Sequence, residues 1–166
     1  MSIGPSKNLA ENLILLFSPF LLLTFVDIVV VSWMVEPVGK EYEIPWSKFE
    51  TEFWPFQQLF IWHIALMPLA FGFYGLLGFA KKSWRLAVAG NILFFGGLED
   101  IVFFLFQRQL IPAELPWLDH APLIIWVKIF TQNPHVTTAN LWIAAIFNLS
   151  LALIILFWKR NQKTAN

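Results

Sequence analysis

The chain has 166 residues, of which 58% are hydrophobic and 13% charged, and its 11 basic residues balance its 11 acidic ones. An ordinary soluble domain has about 25% charged residues, so this composition excludes a typical soluble fold, and zero net charge provides no long-range attraction for nucleic acid. Cysteine is absent, which excludes disulfides, thiolate metal ligands and a cysteine nucleophile.

Four apolar stretches are each long enough to cross a bilayer as a helix, which takes about 20 residues. They cover about 10–33, 56–79, 86–106 and 138–158. Basic and tryptophan side chains stand at their ends, as at Lys82 and Trp84, which is typical of anchoring at the membrane interface. We therefore predict an all-α integral membrane protein, in which residues 1–166 form a single domain built as a four-helix transmembrane bundle.

Lysine and arginine are unevenly divided between the two ends of these predicted helices. The side that holds both termini and the short loop between the second and third helices carries Lys7, Lys81, Lys82, Arg85, Lys159, Arg160 and Lys163. The opposite side carries Lys40, Lys48, Arg108 and Lys128. Because basic residues are concentrated on the cytoplasmic side of membrane proteins, we predict a multi-pass protein of the cell membrane with both termini in the cytoplasm.

The second predicted helix carries a ridge of three glycines, Gly72, Gly75 and Gly78. Small residues let membrane helices approach each other closely, so we expect a neighbouring helix to pack on this ridge.

The outer connection 107–137, between the third and fourth predicted helices, is too apolar for a loop that lies freely in water. It contains the run Leu123-Ile124-Ile125-Trp126-Val127. We predict an interfacial helix across 122–130 that lies on the membrane surface. The alternative is that the connection folds over the bundle and covers a pocket within the membrane.

Four ionisable residues lie inside the predicted spans: Asp27 in the first, His63 in the second, and Glu99 and Asp100 in the third. Each such group costs about 3 kcal/mol near the centre of a bilayer, so its presence favours a functional role. With a rise of about 1.5 Å per residue, Asp27, His63 and Glu99 all lie at one depth, about 10 Å below the outer boundary. We predict that these residues form one catalytic cluster, the alternative being adhesion between helices.

Further polar and aromatic residues surround this level of the predicted bundle. The candidate substrate-binding residues are Asn91, Phe95, Phe103, Asn140 and Trp142. Asn140, Ala144 and Asn148 follow an i, i+4, i+8 spacing that places them on one stripe of the fourth helix. The aromatic rings would stabilise a cationic intermediate, although packing also explains such rings, and adhesion between helices explains the asparagines.

The predicted chemistry is acid–base catalysis. A carboxyl group in apolar surroundings favours its neutral form, so Glu99 or Asp100 can donate a proton to the alkene or oxygen of a lipid, while His63 and Asp27 accept a proton or orient the acid. None of the three histidines is spaced i, i+4 from another, so a histidine–carboxylate metal site is only weakly indicated and the sequence names no cofactor.

The segment Leu98-Glu99-Asp100-Ile101-Val102-Phe103-Phe104 resembles the acidic pair followed by two phenylalanines of the small membrane-embedded lycopene cyclases of carotenoid synthesis. This resemblance implies acid-driven cyclisation of an isoprenoid, with Glu99 and Asp100 as the acid pair. The four-span outline, with intramembrane acids and a histidine, is also similar to the sterol-isomerase and sigma-2 receptor superfamily.

These observations predict a membrane enzyme that acts on a lipid or isoprenoid in the manner of a cyclase or isomerase. Its partners would be a lipophilic small molecule and membrane lipid, without nucleic acid. The alternative is a transport protein that binds protons or cations, or an accessory subunit of a membrane complex, and both versions require a homo-oligomer or a partner membrane subunit.

Overall fold

The structure, a computed structural model, describes residues 5–31, 54–119 and 121–158, with side chains described at 9–31, 66–115, 117–119 and 121–158. The described chain is all-α. Its helices are α1 (Pro5–Val30), α2 (Trp54–Ala80), α3 (Trp84–Leu93), α4 (Glu99–Gln107), α5 (Ile125–Thr131) and α6 (Thr138–Phe157). A π-helical turn over Phe94–Leu98 joins α3 to α4, and a 3-10 turn covers Pro116–Leu118.

Three helical stretches are long and apolar enough to cross a membrane. They are Leu9–Val30, Trp84–Gln107 and Thr138–Phe157. In α2, the part with described side chains forms a shorter apolar stretch, Leu66–Ala80. The all-α prediction is therefore confirmed, and three candidate spans indicate a multi-pass membrane protein.

Large apolar side chains cover much of the outer surface of the fold. Leu76, Phe79, Leu110 and Phe130 are each more than 70% exposed. Apolar surface of this extent indicates contact with a membrane or another protein rather than with water. Lipid around the helices accounts for it in a protein with several candidate spans.

Helix α3 lies at the centre of the fold and packs against α1, α2 and α6. The closest approach is at Gly90, where a Cβ atom would lie 2.0 Å from Cδ1 of Tyr74 on α2. Tyr74 is fully buried, and its hydroxyl donates a hydrogen bond of 2.9 Å to the carbonyl oxygen of Leu16 on α1. Tyr74 therefore joins three helices at one point.

Among the described residues, the predicted packing on the glycine ridge of α2 is found at one of its three members. Gly78 meets Cβ of Ala87 at 2.7 Å, whereas no described atom lies within 4 Å of a Cβ added at Gly72 or Gly75. The helix–helix contact instead uses the bulky Tyr74 on α2 and the small Gly90 on α3. A large side chain opposite a glycine fills the space between helices as well as two small residues would.

The third predicted helix, 86–106, is interrupted in its middle. Gly97 has φ 89° and ψ −5°, a left-handed conformation that glycine adopts without steric cost. Paired small residues and π-turns are recognised causes of helix kinks. The interruption places Glu99 and Asp100 in the first turn of a new helix, α4.

The outer connection folds onto the helices. Glu114 and Thr137 form an antiparallel bridge, and the amide of Leu115 donates a hydrogen bond of 2.7 Å to the carbonyl of Val136. The apolar side chains of the connection that become buried are Leu115, Leu118, Ile124 and Val127. The helix predicted across 122–130 is found as α5, and these burials fit the alternative in which the connection folds over the bundle.

Candidate functional site

Asp27 on α1 and Glu99 on α4 meet inside the protein. They are 3% and 9% exposed, and their carboxyl groups lie close enough to interact electrostatically. Asp100 is only partly buried and lies close enough to Glu99 for their charges to repel. The structure therefore brings two of the predicted acids together, and it is Glu99 rather than Asp100 that lies fully in the interior.

The contact between Asp27 and Glu99 has a direct chemical consequence. An ionised carboxylate only accepts hydrogen bonds, so a hydrogen bond between two carboxyl groups requires that one of them carries a proton. Oε1 of Glu99 is buried and has no hydrogen-bond partner among the described residues. A hydrogen bond within the pair would therefore share one proton, while Oε1 of Glu99 is open to a further polar group.

Glu99 owes its position to the interruption at Gly96 and Gly97. The side-chain amide of Asn148 on α6 donates hydrogen bonds to the carbonyl of Gly96 at 3.2 Å and to the carbonyl of Leu123 at 3.0 Å. A Cβ atom on Gly96 would lie 2.5 Å from Cβ of Asn148. Glycine at 96 is therefore needed for Asn148 to reach the backbone just before Glu99.

The position of Asn148 along α6 shows how deeply the outer connection enters the fold. It lies 10 residues after Thr138, the first residue of α6, which corresponds to about 15 Å along the helix. The Leu123 carbonyl therefore sits near the middle of α6. Irregular backbone at such a depth requires partners within the protein, and the Asn148 amide provides one.

Asn148 shares the predicted stripe of α6 with Asn140 and Ala144, and all three are buried. Asn148 and the two glycines are not among the predicted site residues. The available signal was a pair of adjacent glycines in the middle of a predicted span, together with an amide side chain at mid-depth on another span.

Asn140 makes structural hydrogen bonds at the start of α6. It forms a capping box with Thr137 at the start of α6, and its amide nitrogen donates a hydrogen bond of 2.9 Å to Oγ1 of Thr131 at the end of α5. Its carbonyl oxygen also accepts a hydrogen bond of 3.1 Å from Asn133. These contacts make Asn140 a structural residue that joins α5 to α6, and its predicted substrate-binding role stays a prediction.

The predicted aromatic residues are engaged in packing. Phe95 stacks on Phe71 with ring centroids 4.9 Å apart, and Phe103 meets Phe104 edge to face at 5.6 Å. Trp142 is 42% exposed, so a large part of its ring lies on the outer surface of the described fold. The contacts of Phe95 and Phe103 are of the kind that any helix bundle contains.

Two further predicted residues lie on α2 and α3. The backbone of His63 belongs to α2, but its side chain falls outside the described residues. The Asn91 amide donates a hydrogen bond of 2.8 Å to the Ala87 carbonyl, while its Oδ1 atom is buried without a described partner. Asn91 precedes Glu99 by eight residues, which corresponds to about 12 Å along a helix.

A second charged cluster holds the outer connection in place. Oδ2 of Asp119 lies 2.7 Å from Nδ1 of His135 and 3.1 Å from Nζ of Lys128, and Oδ1 accepts a hydrogen bond of 2.7 Å from the Val136 amide. Burial acts to raise the pKa of Asp119, but the hydrogen bonds from His135, Val136 and Lys128 together lower it below its ordinary value of 3.8. Asp119 is therefore an ionised anchor at neutral pH.

Within the described ranges, no group of three or more histidine, aspartate or glutamate side chains is arranged to hold a metal ion. The candidate site consists of the carboxyl pair, the interrupted helix and the amide that supports it. Comparison with protein-family models, with curated proteins and with solved structures found no match.

Proposed function

We propose that this chain is a membrane enzyme that acts on a lipid or isoprenoid by acid–base chemistry, in the manner of an isomerase or cyclase. The observation that supports the proposal is the buried contact between Asp27 and Glu99. A carboxyl pair that shares a proton inside an apolar fold is an acid placed where lipophilic substrates dissolve. The resemblance of 98–104 to lycopene cyclases agrees with this role.

In the proposed reaction, Glu99 donates a proton to an alkene carbon or an oxygen of the substrate. The resulting cation then loses a proton from a neighbouring carbon, so the double bond moves or a ring closes without any net change in protons. Asp27 holds the acid in position and accepts the returning proton, and His63 and Asp100 complete the cluster as base and second acid. General acid–base catalysis of this kind contributes about 100- to 10,000-fold in rate.

The proposed topology has four spans, with α2 as the second and both termini in the cytoplasm. The uneven distribution of basic residues supports this orientation. The Asp27–Glu99 pair would then lie in the outer half of the membrane, beneath the outer connection.

The test is a comparison of lipids in cells that produce the wild type, Glu99→Gln, Asp27→Asn or the control Glu114→Gln. Glu114 is an exposed carboxyl on the outer connection, so its replacement removes one charge without touching the pair. Mass spectrometry of the extracted lipids and isoprenoids should reveal a product in wild-type and Glu114→Gln cells that the two other variants lack. Identical lipid profiles for the wild type and Glu99→Gln would refute the enzymatic role.

A second candidate function is the binding or transport of protons, because a shared proton in the membrane interior is also the central part of a proton carrier. Proteoliposomes loaded with a pH-sensitive dye separate the two functions. Dissipation of a pH gradient by the wild type but not by Glu99→Gln would favour transport. An intact gradient together with a wild-type-dependent lipid product would favour the enzyme.

A further inference from the structure

The junction between α2 and α3 carries a groove at the end of the fold opposite to Glu99. Ser83 precedes Glu99 by 16 residues, which corresponds to about 24 Å along the helix. The groove encloses about 680 Å³ and is lined by Gly75, Gly78, Phe79, Ala80, Lys82, Ser83, Trp84 and Ala87. It is therefore separate from the carboxyl pair and independent of the proposed reaction.

The lining of the groove is mostly apolar, and several of the residues that line it are glycine or alanine, which leave it open. In the described part of the chain, no atom lies within 4 Å of a Cβ added at Gly75, which also lines the groove. Phe79 and Trp84 line the groove and are 84% and 67% exposed. An apolar groove lined by exposed aromatic rings has the chemistry to hold an acyl chain.

Basic residues gather where the groove reaches the turn, but two of them already have partners. Nζ of Lys81 lies 2.6 Å from Oε1 of Glu11. The guanidinium of Arg85 donates to the carbonyl of Trp158 and lies 5.8 Å from the centre of the Trp84 ring. Lys82 lines the groove, and its side chain makes no hydrogen bond or ion pair with another described residue.

The polar end of the groove adds a second source of positive potential. Helix α3 begins at Trp84 immediately after Ser83, its N-cap residue, and the first amides of a helix carry a partial positive charge that favours an anion. The Ser83 hydroxyl accepts from the Leu86 amide at 3.4 Å and so keeps this end of the helix in place. Lys82, the start of α3 and the apolar channel thus lie together in one groove.

We propose that this groove binds an anionic phospholipid of the surrounding bilayer, with the phosphate at Lys82 and Ser83 and one acyl chain along Gly75 and Gly78. Tryptophan at membrane interfaces lies at the level of the lipid headgroups, and Trp84 at the mouth of the groove fits that position. The positive charge of Lys82 selects an anionic lipid over a zwitterionic one.

Native mass spectrometry of the purified full chain tests this assignment, with dioleoylphosphatidylglycerol or dioleoylphosphatidylcholine added in increasing amounts. The wild type should retain phosphatidylglycerol in preference to phosphatidylcholine. Lys82→Gln should bind phosphatidylglycerol about fivefold more weakly, as expected for one basic side chain near a membrane surface, and lose the preference. Equal retention of both lipids by the wild type would overturn the proposal.

A matched pair of variants tests the channel. Gly75→Leu fills the groove, whereas Gly72→Leu adds the same side chain on the same helix outside its lining, and no described atom lies within 4 Å of a Cβ added at either position. Gly75→Leu should reduce phosphatidylglycerol retention and Gly72→Leu should leave it unchanged. Equal retention by the two variants would contradict the proposed position of the chain. Thermal unfolding of each variant verifies that it is folded.

Discussion

The side-chain amide of Asn148 donates a hydrogen bond of 3.2 Å to the carbonyl oxygen of Gly96, the residue that precedes the left-handed Gly97. In a regular helix, this carbonyl would accept from the amide four residues later. Gly97 departs from helical geometry directly after this carbonyl, and Asn148 supplies a donor from another helix. The position of Glu99, three residues later, therefore depends on α6 as well as on its own helix.

Asn148→Ala should destabilise the protein, because it removes the side-chain donor from the Gly96 carbonyl and one of two donors from the Leu123 carbonyl, which also accepts from Nε1 of Trp126 at 2.9 Å. Each buried polar group left without a partner costs about 1–3 kcal/mol. The nine tryptophans allow thermal unfolding of the purified protein to be followed by fluorescence. Ser150→Ala is the control, because Ser150 is exposed and bonds only to a carbonyl of its own helix. An equal change in Tm for both variants would disprove this role of Asn148.

Gly97→Ala should also be destabilising, by about 1–3 kcal/mol for the strained backbone alone. An added Cβ would in addition lie 2.7 Å from Cδ1 of Leu141. Gly72→Ala provides the comparison, because its added methyl meets no atom of a described residue within 4 Å and alanine favours the helix by about 0.5–1 kcal/mol. We expect a lower Tm for the first variant and an equal or higher Tm for the second. A Gly97→Ala protein as stable as the wild type would contradict the left-handed conformation.

Gly90→Ala should disturb the point where α1, α2 and α3 meet, because its Cβ would lie 2.0 Å from Cδ1 of Tyr74. Overpacking in a tight interior typically costs about 1–3 kcal/mol. Tyr74→Leu alone should also lower the Tm, since it loses ring contacts and the bond to Leu16. The double variant should be more stable than the sum of the two single losses predicts, because the smaller leucine makes room for the methyl group. Strict additivity would indicate that the two residues are not in contact.

The helices were predictable from sequence because long apolar runs without charge have few alternatives to a helix in a membrane. The common depth of Asp27 and Glu99 was predictable by counting residues, because the rise per residue of a helix is known. The break at Gly97 was not predicted, because apolarity alone does not distinguish a continuous helix from an interrupted one. The folding of 115–131 onto the bundle depends on contacts with α6, such as the one between Leu123 and Asn148, which a local pattern does not contain.

The glycine ridge of α2 illustrates the same limit in another way. Gly72 and Gly75 satisfy the spacing of a packing motif, but the neighbouring helix is positioned by Tyr74 and Gly90 instead. Spacing identifies which residues share a helix face. The face that packs against another helix depends on the side-chain shapes of both helices. The residue spacing in one helix describes only that helix.

The anchor of the outer connection should be sensitive to acid, because three donors hold the single carboxylate of Asp119. Its pKa is lowered in the folded protein, so the stabilisation is present above the ordinary pKa of 3.8 and is lost as the pH falls through the lower folded value. Once Asp119 is neutral, His135 and Lys128 no longer face a charged acceptor.

Hydrogen exchange at the Val136 amide, which donates to Asp119, measures this loss directly. Protection in the wild type, corrected for the intrinsic exchange rate at each pH, should be high near neutral pH and fall below pH 3.8. Asp119→Asn keeps an oxygen that can accept from Val136 but removes the charge, so its protection should be lower at neutral pH, by about 1.5–3 kcal/mol for a hydrogen bond to a charged group, and should not fall further in acid. Glu114→Gln should behave like the wild type, since Glu114 is an exposed acid on the same connection. If Asp119→Asn and the wild type lost protection over the same acid range, groups other than Asp119 would control the connection.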